Sequence, residues 1–250
     1  MRSWVRRADR ESGMSLVELS VTMMIMGVVI AATATLVIGV QRTNSQTINR
    51  LDQIESARNA VERMSRTLRA AVMPSQLLSS CAGCMEDAFI HGEDYRVQFY
   101  SNIDNPGNSV GPSRVTYEVL ETSPGVGDLV QTVQVPDSPV PTATGYVYCD
   151  PEASPTPACL ARVKTLTIAR DVLIDPAVPM LAYYDRGGDL LPTGGGALTA
   201  SQLAIVLSIE LSVKVQVQGS SEALPTQYVQ RIMLPNAQAV IRQTEDEETP

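Results

Sequence analysis

The residues of this chain with chemistry to offer are few and far apart. Glu18 is a lone carboxylate at the start of an apolar run, and a membrane-embedded carboxylate needs a cation or an aqueous interface. Cys81 and Cys84 stand in Cys-Ala-Gly-Cys, and Cys149 and Cys159 bracket a loop holding Pro151, Pro155 and Pro157. Asp185 and Asp189 flank Arg186-Gly187-Gly188, an oxygen-rich turn of the kind that suits calcium. His91 is the only histidine, which excludes a two-histidine metalloprotease motif. No Gly-rich phosphate-binding loop of the Gly-x-x-x-x-Gly-Lys kind is present. A nucleophile, base and orienting group in one cleft are thus not in view, and neither catalysis nor a cofactor is expected.

Each group also has a plainer reading. Four cysteines beyond an apolar N-terminal segment favour disulfides in an oxidising compartment. They permit three connectivities, of which Cys81–Cys84 with Cys149–Cys159 is the shortest in range. The Cys149 to Cys159 spacing is poor for a zinc knuckle, and no βαβ pattern surrounds Cys81 and Cys84 to support a redox motif. An Asp-Gly-rich turn between two apolar runs is more often a hairpin than a calcium site, and Asp185 and Asp189 supply few ligands. His91 falls in Ile90-His91-Gly92-Glu93-Asp94, which reads as a loop with a solvated or hydrogen-bonded surface histidine.

The elements that must carry these groups begin with a basic leader. Residues 1–13 hold Arg2, Arg6, Arg7 and Arg10 against Asp9 and Glu11, a net +2 in a chain of net −8, so the remainder carries −10. Chains of 250 residues build about one globular domain, here with an anchor. The acidic remainder repels phosphate backbones, so direct nucleic-acid binding is not expected. From Leu19 to Val40 only Ser and Thr interrupt apolar residues, and a helix over that stretch would be about 33 Å long, enough to cross a bilayer core. The denser positive charge precedes the span, which predicts a cytoplasmic N-terminus and an extracytoplasmic remainder. A secretory signal would want a small-x-small cut after its apolar core, and Ala32-Thr33-Ala34 lies inside that core. A plain signal anchor leaves Glu18 unexplained.

Gly13-Met14-Ser15-Leu16-Val17-Glu18-Leu19 resembles the cleavage and methylation motif of type IV prepilins and type II secretion pseudopilins. The likeness combines a basic leader, a Gly before the cut, an acidic residue fifth in the mature chain and an uninterrupted apolar helix. It departs from the commonest pattern in Met14, where Phe is usual, and Thr35, where many major pilins carry a helix-distorting Pro. The resemblance implies that a prepilin peptidase cuts between Gly13 and Met14 and methylates the Met14 amine. It implies further that the subunit leaves the bilayer for a pilus or pseudopilus filament, where Glu18 pairs with the Met14 amine of a neighbour. The implied partners are other pilin or pseudopilin subunits, the inner-membrane assembly platform and its ATPase. Tyr183-Tyr184-Asp185 ahead of late strands is also similar to minor pseudopilins of the J type and minor pilins of the W type. The size and loops of the domain lean toward a minor subunit at or near the tip. The rival is a signal-anchored extracytoplasmic binding module that keeps its leader.

Beyond the span, Ile48, Leu51, Ile54, Val61, Met64 and Leu68 recur at mostly three- and four-residue intervals. With no Pro or Gly between Val40 and Met73, the helix is expected to run from Ser15 to Val72, packing its amphipathic half on its own domain rather than in a coiled coil. Strands are predicted over 95–100, 113–121, 128–135, 161–169, 203–218 and 227–234, the fifth placed centrally with a bend or bulge. Asn105-Pro106-Gly107, Ser123-Pro124-Gly125, residues 136–144 and 194–196 read as turns or loops. The expected fold is α+β and pilin-like, a long N-terminal helix on an antiparallel sheet. Its division is 1–13 leader, 14–40 membrane and assembly helix, 41–73 amphipathic continuation, 74–242 globular domain and 243–250 acidic tail.

Overall fold

The computed structural model describes residues 14–77, 87–216 and 224–234. Helix α1 runs from Leu16 to Arg69. The chain divides into two compact units at Ile48–Asn49.

In the first unit α1 has a mean hydropathy of 2.4 over its most apolar stretch, and none of that stretch is buried within the protein. Its polar interruptions do not expose free hydroxyls. Ser20 donates to the carbonyls of Leu16 and Val17, Thr33 to those of Val29 and Ile30, and Thr35 to that of Ala32. Back-bonding of this kind lets Ser and Thr sit in an apolar surface without an unsatisfied polar atom.

In the second unit the same helix becomes one-sided. Gln53, Ala57, Ala60, Val61, Met64, Ser65 and Leu68 are buried and fall on one face at 100° per residue. Of these, Ala57, Ala60, Val61, Met64 and Leu68 pack with Val97, Phe99, Val115, Tyr117, Leu129, Ala169, Val172, Ile209, Leu211, Val213 and Ile232 in a single core. Ile48, Leu51 and Ile54 lie outside it, 49%, 54% and 36% exposed. The packed face uses small alanines, which let the helix approach the sheet closely; Ile54 lies on that same face, about 20° from Val61, but is only partly covered, and Leu51 is turned off it.

α1 ends earlier than Pro74 would require. Ala70 and Ala71 donate to the carbonyls of Thr67 and Leu68 in a tightened last turn, and Val72 then donates to the Tyr100 carbonyl. Pairing with the sheet ends the helix at Arg69, and Pro74 opens the short helix α2, Pro74–Leu77.

The strands are β1 (Phe89–Gly92), β2 (Arg96–Ser101), β3 (Ser113–Ser123), β4 (Val126–Gln134), β5 (Val163–Leu173), β6 (Leu181–Tyr184), β7 (Leu190–Leu191), β8 (Ser208–Val215) and β9 (Thr226–Met233). All pair antiparallel in one sheet of order β1-β2-β3-β4-β5-β8-β6-β7, with β9 on β8. β3 and β4 form a hairpin through Pro124-Gly125, where Gly125 has φ +75°. At Gly127 a Cβ would meet the Leu120 carbonyl oxygen at 2.6 Å, so only glycine fits that crossing.

Two further expectations are corrected. Residues 203–207 are not strand, because Thr199 and Gln202 form a capping box that starts helix α4, Ala200–Ala204. The strand that remains, β8, is central as expected, pairing β5, β6 and β9. His91 lies in strand β1 rather than a loop, beside a register shift between Phe89 and His91. The α+β architecture stands as expected.

Because Met64 is fully buried and Ile54 is not, Met64→Ala should cost about 2–5 kcal/mol of domain stability and Ile54→Ala less than half as much. Denaturant titration of the detergent-solubilised chain, monitored by far-UV CD, measures both.

Candidate functional site

The N-terminal site is built on the first turn of α1. Ser15 opens the helix: its carbonyl accepts the Leu19 amide at 3.0 Å and its Oγ accepts the Val17 amide at 3.3 Å. Glu18 stands in that first turn, where the unsatisfied amides of a helix end favour negative charge. Among the described residues Glu18 makes no hydrogen bond or ion pair, and Met14 and Leu16 beside it are 66% and 84% exposed. Glu18 is thus a carboxylate on an apolar rod with no cation paired to it among the described residues. Gly13 and the leader lie outside the described residues. Gly27 and Gly39 leave open space where a Cβ would go, and at Thr35 the helix is continuous.

Cys149 and Cys159 are joined by a disulfide and close a ten-residue separation. The loop is further fixed by Asp150, whose carboxylate accepts the amides of Glu152 and Ala153, bonds that hold its pKa below the usual carboxylate range. Thr156 caps the short helix α3, Pro157–Leu160, that delivers Cys159. Gln134 on β4 donates to the Cys149 carbonyl at 2.6 Å, and Tyr148 donates to the Pro112 carbonyl with Arg114 over its ring. The loop is therefore tied to the sheet at both ends. Cys81 and Cys84 lie outside the described residues.

Asp185 and Asp189 sit in the tight turn between β6 and β7, in which Tyr183 faces Leu191 and Tyr184 faces Leu190. Asp185 accepts the Asp189 amide at 2.9 Å, so its carboxylate fastens the hairpin. Among the described residues no group of three or more His, Cys, Asp or Glu gathers as a metal site. His91 Nε2 approaches Glu93 Oε1 at 2.8 Å without the alignment of a hydrogen bond.

Two arrangements lie outside the sequence expectations. Arg63 Nε donates to Gln131 Oε1 at 2.9 Å and Gln131 Nε2 donates to the Tyr117 hydroxyl at 2.8 Å, a chain of contacts from α1 across β4 to β3. Burial pushes the pKa of the Tyr117 hydroxyl up to about 12, and drives that of Tyr183, which donates to the Glu93 carbonyl, well above its ordinary value. The second is a groove of about 450 Å³ beside α1, rimmed by Arg63, Arg66 and Lys164 over Ile103, Val133 and Leu166. Its residues come from four separate segments, and only the i, i+3 spacing of Arg63 and Arg66 is visible in the sequence.

Residues 9–34 match the family model for the prokaryotic N-terminal methylation motif. A search of curated proteins and of solved structures found no match. The match covers this N-terminal motif alone; beyond it the chain is an apolar N-terminal helix with an antiparallel sheet.

The disulfide and the buried tyrosines each lead to a measurable outcome. Replacing both Cys149 and Cys159 by Ser should lower domain stability by about 2–3 kcal/mol through the freed loop entropy, read as a shifted denaturation midpoint. Tyr117 and Tyr183 hold their protons more tightly folded than unfolded, so the stability they contribute is complete below about pH 10 and is lost as pH rises toward 12. Tyr117→Phe should flatten that alkaline loss in a CD-monitored pH titration.

Proposed function

We propose that this protein is a minor pilin or pseudopilin, made as a prepilin and built into a type IV pilus or type II secretion pseudopilus at or near its tip. The observation that carries the reading is the methylation motif over residues 9–34 running into a helix whose apolar surface has no cover among the described residues. A solvent-exposed apolar rod of that length demands another environment, and a bilayer followed by a bundle of like helices supplies one at each stage. On this reading residues 1–13 are removed by a prepilin peptidase that cuts between Gly13 and Met14 and methylates the Met14 amine. Before assembly the chain crosses the cell membrane once, N-terminus inside and sheet domain outside.

Glu18 is the assembly residue. Unpaired among the described residues, it is stabilised by the Met14 amine of a neighbouring subunit, and that pairing sets the axial register of the packed helices. The partners are other pilin or pseudopilin subunits, the peptidase, and the inner-membrane platform with its ATPase. The chain acts by assembly rather than catalysis. Tyr183-Tyr184-Asp185 at the β6–β7 hairpin favours the J-type or W-type minor subunits.

The test is the N-terminal mass of the chain produced with and without a prepilin peptidase, alongside Gly13→Ala. Peptidase-dependent loss of residues 1–13, blocked in the variant, is expected. An intact leader in the presence of an active peptidase would overturn the proposal in favour of a signal-anchored binding module.

A further inference from the structure

Strand β5 has one edge with no neighbour along its first half. Val135 donates to the Arg162 carbonyl, and Val133 and Gln131 then face Lys164 and Leu166. Hydrogen-bonded and non-bonded pairs alternate along an antiparallel ladder, so Lys164 and Leu166 bond to β4 while Val163, Thr165 and Thr167 turn their amides and carbonyls the other way. β8 meets that side of β5 only at Val172, where Gln216 donates to the Asp171 carbonyl. Among the described residues nothing pairs with the outward backbone groups of Val163, Thr165 and Thr167.

Natural sheets protect such an edge with charge, proline or a bulge. Residues 163–168 read Val-Lys-Thr-Leu-Thr-Ile, without proline, and the register shifts against β4 begin only past Thr167. The single charge, Lys164, is held by Asp104 at 3.3 Å. Residues 164–167 are all exposed, so the edge is accessible as well as unguarded.

The two faces beside this edge differ. On the α1 face Lys164 and Leu166 border the groove rimmed by Arg63 and Arg66, with Leu166 46% exposed. Among the described residues this basic pair meets no carboxylate: Arg63 donates to the Gln131 amide oxygen and Arg66 to the Glu62 carbonyl. On the opposite face Thr165 lies beside Thr132, their hydroxyls 3.4 Å apart. A strand added to this edge would alternate in step with β5. Its side chains on the groove face would come near Leu166 and two guanidinium groups, which suits an apolar residue and carboxylates; the threonine-lined face suits small polar or β-branched residues.

We propose that the free edge of β5 is a strand-addition site for an extended acidic segment of another protein, its main chain on Val163, Thr165 and Thr167 and its carboxylates toward Arg63 and Arg66. The main-chain bonds supply affinity, while the basic pair and Leu166 supply selectivity. All of these residues belong to the second compact unit, and strand addition there does not depend on assembly into a filament.

The probe is the capped peptide Thr-Val-Thr-Glu-Thr-Glu-Thr, added to the full chain in nonionic detergent and followed by hydrogen exchange at single-residue resolution. Binding should slow exchange at the Thr165 and Thr167 amides and leave unchanged those of Gln227, Val229, Arg231 and Met233, which point away from β8 along the outer edge of β9. Thr165→Pro removes an amide that β4 does not use, so the denaturation midpoint should hold while peptide affinity falls about tenfold or more. Arg66→Glu should weaken binding of the acidic peptide and strengthen that of Thr-Val-Thr-Lys-Thr-Lys-Thr. Protection of Thr165 and Thr167 before any peptide is added would mean that this chain or a second copy already occupies the edge, and would overturn the proposal. Protection along β9 alone, equal binding of the acidic and basic peptides, or no binding would overturn it as well.

Discussion

The change of surface along α1 governs everything else in this protein. Through its first turns the helix is apolar on all sides, from Leu16 to Val40, and none of that surface is buried in the chain. Past Gln53 it is apolar on one face, and that face is fully buried against the sheet. A continuous hydrogen-bonded helix can serve both environments because its backbone groups are satisfied internally wherever it lies. The side chains alone decide the surroundings. The antiparallel sheet ends the helix by pairing with the residues that follow it, Val72 donating to the Tyr100 carbonyl and Asn102 to the Ala70 carbonyl, and its core buries that second face.

Polar groups appear in the core where they tie separate elements together. The run from Arg63 through Gln131 to Tyr117 holds α1, β4 and β3 in one register, and Ser101 donates to the Thr67 and Ala70 carbonyls at the helix end. Gln53 is different: it is fully buried, Thr226 donates to its Oε1 at 3.2 Å, and its Nε2 has no partner among the described residues. An unpartnered buried amide costs about 1–3 kcal/mol, so this position trades stability for a fixed meeting of α1 with β9.

Charge divides the molecule in a second way. The acidic excess that weighs against nucleic-acid binding is spread over the domain, while cations cluster beside α1 on the helix side of β4 and β5. The first four residues of β5 after Val163 are exposed on both faces, so α1 stops short of covering this end of the sheet. That uncovered strip, rather than a closed pocket, is what gives the basic pair an apolar neighbour.

The sequence by itself determined the N-terminal third and most of the strands. The motif at Gly13 to Leu19 and the apolar run are local patterns, and local patterns survive without tertiary context. The alternating strands at β2, β3, β4 and β9 were legible for the same reason, since period-two burial is written into each strand separately. Residues 203–207 are an unbroken apolar run that leads into the alternation of β8, yet the capping box at Thr199 and Gln202 takes Leu203 and Ala204 into a helix, a local signal that the apolar run concealed. β1, β6 and β7 are too short to carry a pattern, and exist because β2 and β8 offer open edges. Only the tertiary structure decided that Leu51 and Ile54 stay exposed while Ala57 and Ala60 are buried, because periodicity gives the spacing of a helix face but not how far along it the sheet reaches. The same holds for the groove at Arg63 and Arg66: its floor is assembled from residues 103, 133 and 166, which only folding brings together.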